Sequence, residues 1–113
     1  MEPSQVAQAA IDAFHDRDLD RCLGYYADNV VVRDAAGTVL MDGAAAVRRR
    51  YAQAMEENPN VRYELPNRIA LGEWVIDEKR VTGFTKPTSP EVVRAVLVYS
   101  LSGASTHDVT PSI

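Results

Sequence analysis

The chain is poor in the residues that build covalent or metal-held scaffolds. It has one cysteine, Cys22, among 113 residues, which excludes an intrachain disulfide and any site built on several cysteines. Set in LDRCLGYY between Leu19 and Leu23, that cysteine reads as a small buried residue. The two histidines, His15 and His107, lie far apart. Neither has a second ligand at metal-binding spacing, so neither a metal nor a cofactor is expected. Positive charge is in deficit: the net charge is −4 and the pI about 5.1, against the excess of cations that a nucleic-acid partner calls for. The one basic run, Arg48, Arg49 and Arg50, is followed by Glu56 and Glu57 and reads as a solvated helix face. No stretch approaches the roughly 18 apolar residues of a membrane span. The opening MEPSQVAQ has neither the basic nor the apolar part of a signal sequence. A cytoplasmic protein with no membrane partner is expected.

What is present is ordinary globular material. Hydrophobic residues make up 46% and charged residues 25%, enough apolar surface for one core, so disorder is not the default. No repeat or linker divides the chain, and residues 1–113 read as one domain. Residues 3–16 have Val6, Ala10 and Phe14 four apart, with Ala7 and Ile11 widening the stripe, and predict a helix opened by Pro3. Residues 18–27 predict a second, shorter helix. VVVR predicts a strand, DAAGTVLMDG a hairpin-like excursion, and Asp42 the cap of a third helix that Pro59 stops.

From Val61 the period changes to two. Val61, Tyr63, Leu65, Ile69 and Leu71 share one face, and Arg62, Glu64 and Arg68 the other. EWVIDEKRVTGF and EVVRAVLVYSL predict two more strands around the turn TKPTSP. The polar GASTHDVTPSI is either a last edge strand or a frayed tail. Helices first and a strand meander afterwards indicate an α+β fold, with helices on one face of a curved antiparallel sheet.

That order, with the phrases DRDLDRCLGYYADNVVVRD, DGAAAVRRRYAQ, WVIDEKRVTG and RAVLVYSLSG, resembles the nuclear transport factor 2-like superfamily, and within it the SnoaL-like and ketosteroid-isomerase-like branch. The resemblance implies a cone-shaped curved sheet packed against three N-terminal helices. It implies a pocket between the helices and the concave face, and commonly a dimer through the convex face. It does not fix the chemistry, because one scaffold serves isomerases, cyclases, dehydratases and proteins without catalysis. Strand parity agrees with it. Val93, Ala95, Leu97, Tyr99 and Leu101 form an apolar inward set, and the outward set with Val92, Val96 and Val98 is too apolar for water, so a homodimer through the outer sheet face is expected.

Asp34 shares parity with Val30 and Val32, the pair expected to point inward. The resembling isomerases carry their general base at the end of this strand, in an aspartate–x–x–glycine turn, and RDAAG retains Asp34 and Gly37. A partly desolvated carboxylate there would be a better base; the alternative is a turn residue bonding its own backbone. The hydrogen-bond donors of those isomerases fall at Ala10 and near Leu97, neither of which can donate from its side chain, so a ketosteroid isomerase is not expected. If Trp74 and Ile76 face inward, Glu78 joins Asp34 as a second carboxylate, with Arg80 as its partner. The opposite parity puts Asp77 and Lys79 inside, with Val75 and Val81.

Phe14, Tyr26, Met55, Trp74, Ile76, Leu97 and Tyr99 are the expected pocket lining, or else core filler. His15 is expected at a helix end, where a partly positive imidazole suits the dipole. Three functions stay open: a small apolar carbonyl-bearing molecule turned over without a cofactor by Asp34, the same molecule bound without catalysis, or a dimer with a filled core. The usual apolar closing strand has no counterpart in GASTHDVTPSI, and its loss would open one side of the pocket.

Overall fold

The computed structural model describes residues 2–34, 36–102 and 105–112. The first helix, α1 (Pro3–His15), starts with Glu2 and Gln5 bonded to each other's backbone, Glu2 N donating to Gln5 Oε1 at 2.8 Å, which satisfies the N–H groups a helix start leaves over. Its apolar stripe, Val6, Ala10, Ile11 and Phe14, is buried as the spacing predicts. Beyond it Arg17 takes φ 60°. The guanidinium of Arg17 donates to the carbonyls of Pro59 at 2.6 Å and Val61 at 2.8 Å, which offsets the cost of a left-handed backbone at a residue with a side chain.

The second helix is shorter than expected. It runs Leu19–Leu23 as α2, capped by the Asp18 side chain, and β1 (Tyr26–Arg33) begins three residues later. Residues 25–27 leave the helix because Tyr26 joins the sheet, paired to Thr106. After β2 (Val39–Asp42), helix α3 (Ala44–Glu57) is capped by Gly43 at φ 90° with no side-chain bond. The expected Asp42 cap is therefore replaced: Asp42 stays in the sheet opposite Val31, and Gly43 donates its N–H to Val30 O at 2.7 Å.

Strands β3 (Arg62–Leu71), β4 (Trp74–Thr82), β5 (Val93–Ser102) and β6 (Ser105–Ser112) complete one sheet of order β2-β1-β6-β5-β4-β3. Every pairing is antiparallel except β1 with β6. The polar C-terminal segment is neither edge nor tail. It is a central strand, held by backbone pairing on both sides, which polar side chains do not prevent.

Two parities are corrected. Strand β3 shifts register between Glu64 and Asn67, around Pro66, which cannot donate to the ladder. Before the shift Tyr63 points inward; after it Arg68 does, and Ile69 and Leu71 are 62% and 75% exposed. In β4 the inward set is Val75, Asp77 and Lys79, so Trp74, Ile76, Glu78 and Arg80 lie on the outer face. In β5 the expected inward set holds, with Tyr99 and Leu101 buried.

Candidate functional site

The helices and the inner sheet face enclose two regions of different character. Deep between α1, α2 and the sheet, Phe14 stacks on Tyr63 at 4.8 Å and meets Tyr51 edge-on at 5.5 Å. The hydroxyls of Tyr26 and Tyr51 bond to each other at 3.0 Å. The space left there is about 10 Å³, roughly that of one water. Phe14 and Tyr26 are core filler.

Toward α3 the packing opens into a hollow of about 300 Å³. Its apolar wall comes from Val32 of β1, Met41 of β2, Val81 of β4, and Val93, Ala95 and Leu97 of β5. Its polar groups are Arg50 and Tyr51 of α3, Tyr63 of β3 and Lys79 of β4. That ratio, an apolar wall with a few polar groups, is the make-up of a small-molecule site.

Asp77 and Lys79 follow each other down the inner face, fully buried and 7% exposed. Both Asp77 oxygens are taken by one guanidinium: Arg68 Nε reaches Oδ1 at 2.6 Å and Nη2 reaches Oδ2 at 2.9 Å. Arg68 also donates to Ser4 O and Gln8 Oε1, so the pair fastens β3 and β4 to α1. Lys79 has no such partner. Its ammonium lies over the rings of Tyr63 at 4.5 Å and Tyr99 at 5.6 Å, with no hydrogen-bond acceptor among the described residues. Burial lowers its pKa, helped by Arg68 and opposed by Tyr63, Asp77 and Cys22. Burial also holds the Tyr26, Tyr51, Tyr63 and Tyr99 hydroxyls protonated, raising each pKa.

The expected site residues are scattered by this geometry. Leu97 lines the hollow, and Tyr99 lies beneath Lys79. Met55 packs against the core. Trp74 (51% exposed) and Ile76 are on the outer face, the correction following from Val75 and Asp77 filling the interior. Glu78 is there too, accepting from Asn67 Nδ2 at 2.8 Å, and does not converge with Asp34. Asp34 stands two residues beyond the hollow-lining Val32, but its Oδ1 accepts from the N–H groups of Ala36 at 3.0 Å and Thr38 at 2.9 Å, the bonding of a turn residue. His15 is not the partly positive group expected. Its Nε2 accepts from Tyr63 N–H at 2.9 Å, and burial, with Arg62 and Arg17 nearby, lowers its pKa.

Lys79 is the site residue that sequence reasoning did not single out. The signal was the alternative parity of WVIDEKRV: only that parity gives the inward aspartate an arginine across the ladder, Arg68 opposite Asp77.

No curated protein matches the chain in sequence. Among solved structures, an uncharacterised cystatin-fold protein from Novosphingobium aromaticivorans is 26% identical, with a TM-score of 0.89 over 100% of this chain and 99% of that one. A Sinorhizobium meliloti protein provisionally described as a polyketide cyclase is 18% identical, with a TM-score of 0.80 over 96% and 94% of the two chains. A Catenulispora acidiphila protein of ketosteroid isomerase-like fold, solved in complex with trimethylamine, is 16% identical, with a TM-score of 0.81 over 100% and 87%. The family model of the SnoaL-like domain matches residues 7–104. On that match, and on helices laid against one curved sheet, the chain belongs to the SnoaL-like domain family.

Proposed function

We propose that this domain takes up a small, largely apolar, carbonyl-bearing molecule in the hollow under α3 and carries out a cofactor-free proton transfer on it, an isomerisation or cyclisation. The observation that carries the reading is the hollow itself, an apolar wall around one buried amine. The polyketide cyclase description of one relative and the trimethylamine held by another support a small-molecule site in this fold. The lone buried thiol of Cys22 suits the reducing, cytoplasmic setting we assign to it.

The test is a thermal-shift screen of apolar ketones and aromatic polyketide-like compounds on the native protein and on Leu97→Trp, which fills the hollow. A ligand at about 100 times its Kd adds about 2.7 kcal/mol, roughly 10 °C in Tm for a domain of this size. The shift is expected in the native protein and reduced in the variant. Equal shifts in both, or none across the screen, would reject the hollow as the site.

A base role for Asp34 is the second reading, favoured by its place just beyond Val32. Asp34→Asn keeps an oxygen for the turn and removes the charge. Loss of turnover with binding retained identifies the base; unchanged turnover leaves Asp34 a turn residue. We also propose a homodimer through the outer face. Leu71, Trp74 and Ile69 are exposed there, and Val96 lies on the same face. Trp74→Glu is expected to shift the protein to monomer in sedimentation, and an unchanged mass would remove this interface.

A further inference from the structure

Only two of the twelve basic residues are lysines, Lys79 and Lys86. Lys86 is exposed in the loop between β4 and β5, while Lys79 is buried on the wall of the hollow. A chain that elsewhere uses arginine places an amine at this one interior position. The difference matters chemically, because an amine can lose its proton and act as a nucleophile and a guanidinium cannot. Lys79 does not serve the nearest carboxylate, since Arg68 occupies both oxygens of Asp77. Its amine makes no hydrogen bond among the described residues and is not sealed off, Arg80 Nε being the one fully buried side-chain nitrogen without a partner there, so it faces the hollow it lines and can be reached by a molecule that enters.

Resting on the ligand reading above, we infer that Lys79 binds its ligand covalently, its Nζ condensing with the ligand's carbonyl carbon to form an imine. The nitrogen lone pair forms the C–N bond while the carbonyl π pair moves to oxygen, which takes up a proton as the nitrogen gives one up. The resulting hydroxyl leaves as water with a second proton from solvent, and the C=N bond forms. The iminium carries its positive charge where the ammonium stood, over the Tyr63 and Tyr99 rings, which favour a cation there.

An iminium withdraws electrons from the neighbouring C–H bond more strongly than the parent ketone. Loss of that proton to solvent water in the hollow gives a neutral enamine, and return of a proton from solvent at another carbon regenerates the iminium, whose hydrolysis by water releases an isomer and the free amine. This supplies the electron sink that side-chain donors at Ala10 and Leu97 cannot supply, and no oxidant or cofactor enters the balance.

The experiment is reductive trapping. Native protein is incubated near pH 7, where an ordinary lysine is protonated, with 4-phenylbutan-2-one or cyclohexanone and cyanoborohydride, which delivers hydride to an iminium. Adducts are located by peptide mass mapping, and the same ketones are run in the thermal-shift assay. The expected result is labelling at Lys79 about tenfold above exposed Lys86, as a lowered amine pKa and a bound ketone both predict. The signal should vanish in Lys79→Arg and fall in Leu97→Trp, which keeps the amine and fills the hollow. Lys86 is the internal control should either variant fold poorly. A ketone that raises Tm but labels only Lys86 or the N-terminal amine would overturn the imine and leave the binding site standing. Neither shift nor label at Lys79 would overturn both.

Discussion

Replacing Lys79 by methionine is expected to stabilise the protein while removing its chemistry. Lys79 is 7% exposed, a charged amine largely withdrawn from water though still open to the hollow, and that desolvation lowers its pKa. Burying such a group costs about 1–3 kcal/mol. The rings of Tyr63 and Tyr99 return about 1 kcal/mol of that as cation–π attraction. Methionine has nearly the same length and no charge, and its sulfur against the same rings contributes about 0.3–1.5 kcal/mol. The net gain is about 1–2 kcal/mol, or roughly 4–8 °C in Tm for a domain of this size. Calorimetry on the native protein and Lys79→Met without ligand measures it, with Leu97→Met as a control for the hollow wall. A fall in Tm of Lys79→Met would refute the reasoning. It would mean that the amine is a structural bridge between the rings and the Arg68–Asp77 pair and that nothing is missing from its surroundings.

Two further outcomes follow from geometry. The His15 pKa lies below its unfolded value because of burial and the nearby Arg62 and Arg17. The neutral ring's contribution is therefore complete above the unfolded pKa of about 6.5 and lost as pH falls through the folded value. Unfolding by urea is expected to become easier from about pH 7 to about pH 5, with a weaker slope in His15→Gln; identical slopes would remove His15 from the balance. Gly83 has φ 86°, and a Cβ there would collide with the Asn60 carbonyl. Gly83→Ala is expected to cost more than about 1–3 kcal/mol in the same assay, and a neutral result would show that the strand β4 exit can move aside.

The parts of the fold that were legible in sequence are those where one face alone is apolar. The α1 stripe leaves little choice of orientation, and in β5 the outward set, though rich in valine, is broken by Arg94 and Ser100 while the inward set is apolar throughout. Strand β4 has apolar residues on both faces, so Trp74 with Ile76 and Val75 with Val81 compete equally. Only the cross-strand partner of Asp77 decides between them, and that partner depends on the Pro66 register shift in β3. The site inherits the same ambiguity, since Lys79 changes face with the parity. Strand β6 was hidden for another reason. Its place is set by backbone pairing with β1 and β5 rather than by an apolar pattern, and pairing leaves no mark on composition.

The position of β6 also bears on the order in which the molecule can assemble. Residues 105–112 lie between β1 and β5, so the β1–β2 hairpin and the β3–β4–β5 meander share no strand ladder until that segment arrives, and α1, through Arg68 and His15, ties the helices to the meander before then. On the ribosome, the wedge that joins them emerges after both. The sheet therefore closes late, by a parallel pairing of widely separated segments, Tyr26 with Thr106 and Val32 with Val109, the slow kind of contact to form. Until then the exposed edges of β1 and β5 are open to other chains, and chaperone dependence should concentrate in that interval.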